Sequence, residues 1–229
     1  MTETAGGYTA GLLQGVLFDM DGTLIDSEGL WGAAEAETVA ALGGEWTRED
    51  HRRCIGGAAE PVARYIIELT GTRLEPAQVT ARLHAAYARR LAAGPGTRPG
   101  AKELVARVAR SAVPAALVTS TERALVEATI GAIGVAEFDA TVAGDEVAHN
   151  KPHPEPYLKA ARELGIDPAR CVAFEDSAVG VASAMAAGCV TVAVPGEPPV
   201  PPAEGLTVVD SLVGIDLPWM ERLVAAAGG

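Results

Sequence analysis

Hydrophobic and polar positions change rhythm twice along the chain. The first stretch, Gly15 to Phe18, is continuously apolar, stops at Asp19, repeats the acid at Asp21 and breaks into Gly22-Thr23. Such a run predicts a strand buried on both faces and ended by two carboxylates. From about Ser27 to Ala93 the spacing is helical throughout. Leu30, Ala33, Ala34, Val39 and Leu42 form one apolar stripe before Gly43-Gly44, and Thr47 with Asp50 three positions on marks a helix start. Val62, Ile66, Ile67 and Leu69, then Val79, Leu83, Tyr87 and Leu91, form two further stripes, the last stopped by Gly94-Pro95-Gly96.

After Pro99 helix and strand alternate. A helix through Leu104, Val105 and Val108 leads to a strand from Val113 to Thr119 and a helix from Thr121 to Ile133. Phe138 to Ala143, Cys171 to Phe174 and Cys189 to Val194 read as strands, and Glu155 to Leu164 and Ala178 to Ala187 as the helices between them. Pro195 to Pro202 reads as a surface connection to a short run at Leu206 to Val209 and a last helix from Trp219 to Ala226. Alternation of this kind builds parallel βαβ units with right-handed crossovers. The expected fold is therefore α/β, a doubly wound and mostly parallel sheet with an all-helical cap inserted after its first strand. Its boundaries are a leader over residues 1–13, a core from 14–27 and 96–229, and a cap over 28–95.

Composition narrows the partners. The formal charge of −12 over 229 residues argues against nucleic acid and against anionic membrane surfaces, both of which need clustered Lys and Arg. Cys54, Cys171 and Cys189 lack metal or redox spacing, and no run is long enough to span a bilayer. Met1 to Gly11 has no basic segment followed by an apolar one, so it reads as a loose leader. The expectation is a cytoplasmic monomer acting on a small molecule.

Candidate chemistry lies where the predicted strands end, the edge at which parallel sheets bind ligands. Thr119 and Ser120 follow an apolar strand and precede a helix, so they suit either a phosphate contact or a helix cap. Lys151 sits among prolines in Asn150-Lys151-Pro152-His153-Pro154, and Glu175-Asp176 ends another strand, where acids also suit a helix start. The string Phe18-Asp19-Met20-Asp21-Gly22-Thr23-Leu24-Ile25-Asp26-Ser27-Glu28 resembles the first signature of the haloacid dehalogenase superfamily, in its phosphatase and phosphomutase branch. Thr119, the Lys151-Pro-x-Pro-x-x-Tyr157 run and Glu175-Asp176 are similar to its other three.

The resemblance implies that Asp19 is the nucleophile attacking phosphorus and Asp21 the general acid and base, with Mg2+ bridging them. It also implies that Thr119 contacts the phosphate, with Ser120 a candidate for a backbone contact, that Lys151 steadies charge on nucleophile and phosphoryl group, that Asp176 binds the metal and that Glu175 binds it directly or through water. The chemistry is consistent with those roles: a carboxylate splits one hard displacement into two easier ones, and Mg2+ takes hard oxygen ligands. Dehalogenases of the founding kind lack an acid at the position of Asp21. Sugar phosphomutases of this branch carry a basic residue in the cap loop and a histidine on the first cap helix. Cys54-Ile55-Gly56-Gly57-Ala58-Ala59 and Leu30-Trp31-Gly32 supply neither, which favours water as the acceptor. Arg52, Arg53 and Arg64 read as helix surface. A noncatalytic phosphate binder on the same fold would be free to lose Asp19 or Asp21, and both are present. Asp26 to Trp31 looks like relatives that hydrolyse small sugar or polyol phosphates.

Overall fold

The computed structural model describes residues 12–92, 94–133 and 138–228. Its elements follow in the order β1 (Gly15–Phe18), β2 (Ile25–Asp26), α1 (Glu28–Ala41), α2 (Arg48–Cys54), α3 (Ala59–Thr70), α4 (Pro76–Leu91), β3 (Gly96–Thr97), α5 (Ala101–Ala109) and β4 (Ala115–Val118). There follow α6 (Arg123–Ile133), β5 (Ala140–Val142), α7 (Glu155–Leu164), β6 (Cys171–Glu175), α8 (Ala178–Ala186), β7 (Val190–Ala193), β8 (Leu206–Val208) and α9 (Leu217–Ala227). The expected fold is the observed one: a parallel, doubly wound sheet ordered β5-β4-β1-β6-β7-β8, with a helical insert after β1.

The central strands β1, β4 and β6 are buried on both faces because helices cover both. Val16 and Phe18 point into a core with Leu104, Val108, Met220 and Val224, from α5 and α9. Leu17, between them, points the other way, among Tyr157, Ala160 and Ala184 of α7 and α8. That is the two-residue period of a strand. Phe18 pairs with Leu117 on one side and with Phe174 on the other, where the two phenyl rings stack at 5.4 Å. Strand order therefore reverses about β1, and the residues just past its end are flanked by the ends of β4 and β6.

Helices α1, α3 and α4 carry a core of their own, with Ala34, Val39, Val62, Ile66, Val79, Leu83, Tyr87 and Leu91. The expected stripes of α3 and α4 are found, save that Leu69 is exposed. On α1 the buried face is rotated: Ala33 is exposed, and Glu35 and Thr38 are buried beside Ala34 and Val39. The helix start at Thr47 is a full capping box, Thr47 N donating to Asp50 and Asp50 N to Thr47. Both crossings between sheet and insert run through one antiparallel ribbon that the sequence did not predict, with Ile25 opposite Thr97 and Asp26 opposite Gly96.

One boundary needs correction. Residues 1–11 of the proposed leader lie outside the described residues, but Leu12 and Leu13 are tied down. Leu13 is buried, Arg170 donates to the Leu12 carbonyl, and Gln14 N donates to the Arg170 carbonyl. Among the described residues no helix is long and apolar enough to cross a membrane.

Candidate active site

The register that sets Phe18 between Leu117 and Phe174 delivers Asp19, Thr119 and Glu175 to one edge of the sheet. Lys151 enters from the loop before α7. Its Nζ donates to Asp19 Oδ1 at 2.7 Å, to Glu175 Oε1 at 2.7 Å and to the Val118 carbonyl at 2.8 Å, which uses all three of its protons. Tyr157, on the first turns of α7, donates to the same Glu175 oxygen at 2.5 Å. The Tyr of the Lys-Pro-x-Pro-x-x-Tyr run thus belongs to the site, a role that the sequence analysis did not assign.

Asp19, Glu175 and Asp176 are buried, and each offers an oxygen within 4.8 Å of the others. Three carboxylates face one ammonium, so the ionised site would carry excess negative charge in a dry setting. Burial, with Glu175 adding and Lys151 opposing, pushes Asp19 up to about 8. Burial, then Asp19 and Glu175, holds Asp176 well above the usual carboxylate range. Burial works against the charge on Lys151, but Asp19 and Glu175 outweigh it and raise its pKa.

Asp176 has one oxygen, Oδ1, 3.3 Å from the Thr23 hydroxyl, while Oδ2 is buried with no hydrogen-bond partner among the described residues. Gly22, at φ 77°, makes room for that oxygen, since a Cβ there would lie 1.9 Å from it. A buried orphan acceptor beside two further carboxylate oxygens is the donor set that a hard divalent cation takes.

The carboxylate of Asp21 is not in this cluster. It turns towards the helical insert, where Ser27 donates to Oδ1 at 2.7 Å, Trp31 Nε1 at 3.0 Å and Tyr87 at 3.2 Å. Thr121 donates to Oδ2 at 2.7 Å, and the Thr119 hydroxyl lies 3.5 Å away. The expected metal set of four acids is thus gathered as three, with the Asp21 side chain held apart by neutral donors. The indole of Trp31 stacks on Tyr87 at 3.8 Å, so the same two rings that pack the insert also hold this acid. Ser120 lies within hydrogen-bond distance of the Gly56 carbonyl, at 3.2 Å, and of Asn150, at 3.0 Å, which ties its hydroxyl to the α2–α3 loop.

A cleft between sheet edge and insert is lined by Asp19, Thr119, Ser120 and Asp176 below and by Glu28, Glu35 and His51 above. The last two were missed by sequence reasoning. Arg52, Arg53 and Arg64 are exposed and pair with Glu49 and Glu60, as expected of helix surface.

The family model described as haloacid dehalogenase-like hydrolase matches residues 16–194. The chain is 40% identical to Protein CbbY of Rhodobacter capsulatus over 198 residues, covering 81% of this chain and 86% of that one. It is 33% identical to the fructose-1-phosphate phosphatase YqaB of Escherichia coli, covering 76% and 92%. A crystal structure of a mutant CbbY from Rhodobacter sphaeroides in complex with xylulose-(1,5)bisphosphate matches with a TM-score of 0.80 and 32% identity, covering 91% of this chain and 99% of that one.

Proposed function

The chain belongs to the haloacid dehalogenase-like hydrolases, and on that premise we propose that it is a Mg2+-dependent phosphomonoester hydrolase acting on a small sugar or polyol phosphate through an aspartyl-phosphate on Asp19. The observation that carries this reading is the placement of Asp19 at the end of β1, 2.7 Å from Lys151, beside Glu175 and the unpartnered oxygen of Asp176. Relatives named as phosphatases of fructose 1-phosphate and of hexitols support the substrate class.

In the proposed reaction an Asp19 oxygen attacks phosphorus, the P–O bond to the leaving alcohol breaks, and Asp21 gives that alkoxide its proton. Asp21 then takes a proton from water as the water oxygen attacks the same phosphorus. The P–O bond to Asp19 breaks and inorganic phosphate leaves. Lys151, fixed by the Val118 carbonyl and Glu175, holds positive charge where the phosphoryl oxygens gain negative charge. Thr119 and Ser120, at the head of α6, suit phosphate contacts. Asp19, Glu175 and Asp176 would hold Mg2+, which supplies charge neutralisation of the transferring group. Trp31 and Tyr87 of the insert donate to Asp21 Oδ1, so residues 28–95 act as a cap whose position bears on this acid.

Assay of the purified protein over a phosphate-ester panel, with Mg2+ and with chelator, tests the proposal. Turnover that needs Mg2+ is expected. Absence of turnover on every ester contradicts it.

A further inference from the structure

We propose that His51, braced by Glu35 and set beside Glu28, is the cap-side specificity residue that receives a hydroxyl of a singly phosphorylated polyol or sugar, and that this cluster turns away esters carrying a second phosphate at that end. The inference rests on the hydrolase reading and deepens it.

Glu28 and Glu35 lie two turns apart on one face of α1, and His51 comes to them from α2. Glu35 is 4% exposed, and its Oε2 meets both Trp46 Nε1, at 3.2 Å, and His51 Nδ1, at 2.5 Å. Nδ1 is thereby committed. The imidazole packs over Gly32, where a Cβ would lie 3.3 Å from its Nε2, so the ring is held from two directions. What remains for a ligand is Nε2, which stands 3.7 Å from Glu28 Oε2, too far for a direct hydrogen bond. All three residues line the cleft that also contains Asp19 and Asp176.

The chemistry of this end selects its ligand. A hydroxyl both donates and accepts, so it can give its proton to Glu28 while accepting from Nε2. The hydrogen bond to Glu35, acting against burial, raises the pKa of His51 and so favours the ring form in which Nε2 is a donor. A second phosphate would bring only acceptors to a wall that carries Glu35 and, above about pH 7, Glu28 as carboxylates, and among the described residues lining the cleft there is no Lys or Arg to meet it. A related CbbY was crystallised with a bisphosphate, so the two chains are expected to differ at this end of the cleft.

The test compares kcat/KM of the Mg2+-loaded full chain on a hexitol monophosphate, the matching bisphosphate and p-nitrophenyl phosphate, which has no aliphatic hydroxyl. The wild type should favour the monophosphate over the bisphosphate by at least about 10-fold. His51→Ala should lower the ratio of hexitol monophosphate to p-nitrophenyl phosphate by about 10- to 100-fold, mainly through KM, as expected for a lost charged hydrogen bond. A misfolded fraction lowers both rates alike and leaves that ratio untouched. His51→Gln, which keeps a donor near the Nε2 position, should recover most of it, and Glu35→Gln should lower it less than His51→Ala. An unmoved ratio in His51→Ala, or a wild type that prefers the bisphosphate, overturns the assignment and leaves hydrolysis standing. No turnover on any of the three esters overturns both readings.

Discussion

At the lower side of the cleft Asp19 and Glu175 hold one ammonium with Asp176 beside them, whereas on the upper wall Glu28 and Glu35 flank one imidazole. Both walls hold more acid than base, yet they differ in how they are built. The lower wall is set by backbone: each acid ends or follows a buried strand, and the pairing of Phe18 with Phe174 fixes the spacing. The upper wall is set by side chains from two helices and the indole of Trp46, with no strand to fix it. The lower wall fits a reaction that demands fixed geometry, and the upper one fits a recognition surface that can differ between relatives.

Variants should separate the two walls by size of effect. Asp19→Asn removes the proposed nucleophile and should lower kcat by at least about 1,000-fold on every ester, read in a steady-state assay. Lys151→Ala leaves the buried carboxylates without their shared ammonium. Urea denaturation should show a loss on the order of 3 kcal/mol, alongside at least a 100-fold fall in kcat (roughly, by the cost of losing a preorganised charge). A smaller change would mean that the lower wall is more open to water than its burial indicates.

Glu28→Gln tests the upper wall by pH. Burial, then Asp21, pushes Glu28 from 4.5 up to about 7, so the folded chain holds a proton that the unfolded chain has released between those values. Wild-type stability should therefore fall as pH rises from about 4.5 to 7 at this group, and Glu28→Gln should flatten that slope. At pH about 8 the variant should be more stable than wild type by on the order of 2 kcal/mol, measured by denaturant titration. The smallest effect belongs to Arg53→Ala and Arg64→Ala. Each removes an exposed pair and should change stability by less than about 0.5 kcal/mol with no loss of turnover. A large loss of turnover in either would place that arginine in the cleft and favour the mutase alternative.

The same contrast explains what the sequence made legible. Asp19 and Glu175-Asp176 could be found because a continuous apolar run names the strand and its last residue names the edge. Thr119 follows from a strand end in the same way, and Lys151 was found through the family resemblance of its Lys-Pro-x-Pro-x-x-Tyr run. Glu35 could not be found, because its place on α1 looked polar and outward while Ala33 looked inward. The helix is rotated so that Glu35 meets His51, sixteen positions away on another helix. Periodicity gives the width of an apolar stripe but not which partner faces it. Asp21 was assigned to the metal because the family resemblance implies it. Its carboxylate instead meets donors from Ser27, Trp31, Tyr87 and Thr121, the last 100 positions distant, and no local pattern announces such a set.

The covalent role of Asp19 is the claim on which the rest depends, and the stereochemical course at phosphorus tests it most directly. Hydrolysis of an isotopically chiral phosphate monoester by the Mg2+-loaded enzyme should proceed with net retention, the outcome of two in-line displacements, first by Asp19 and then by water. Net inversion would mean that water attacks the ester directly and would contradict the account.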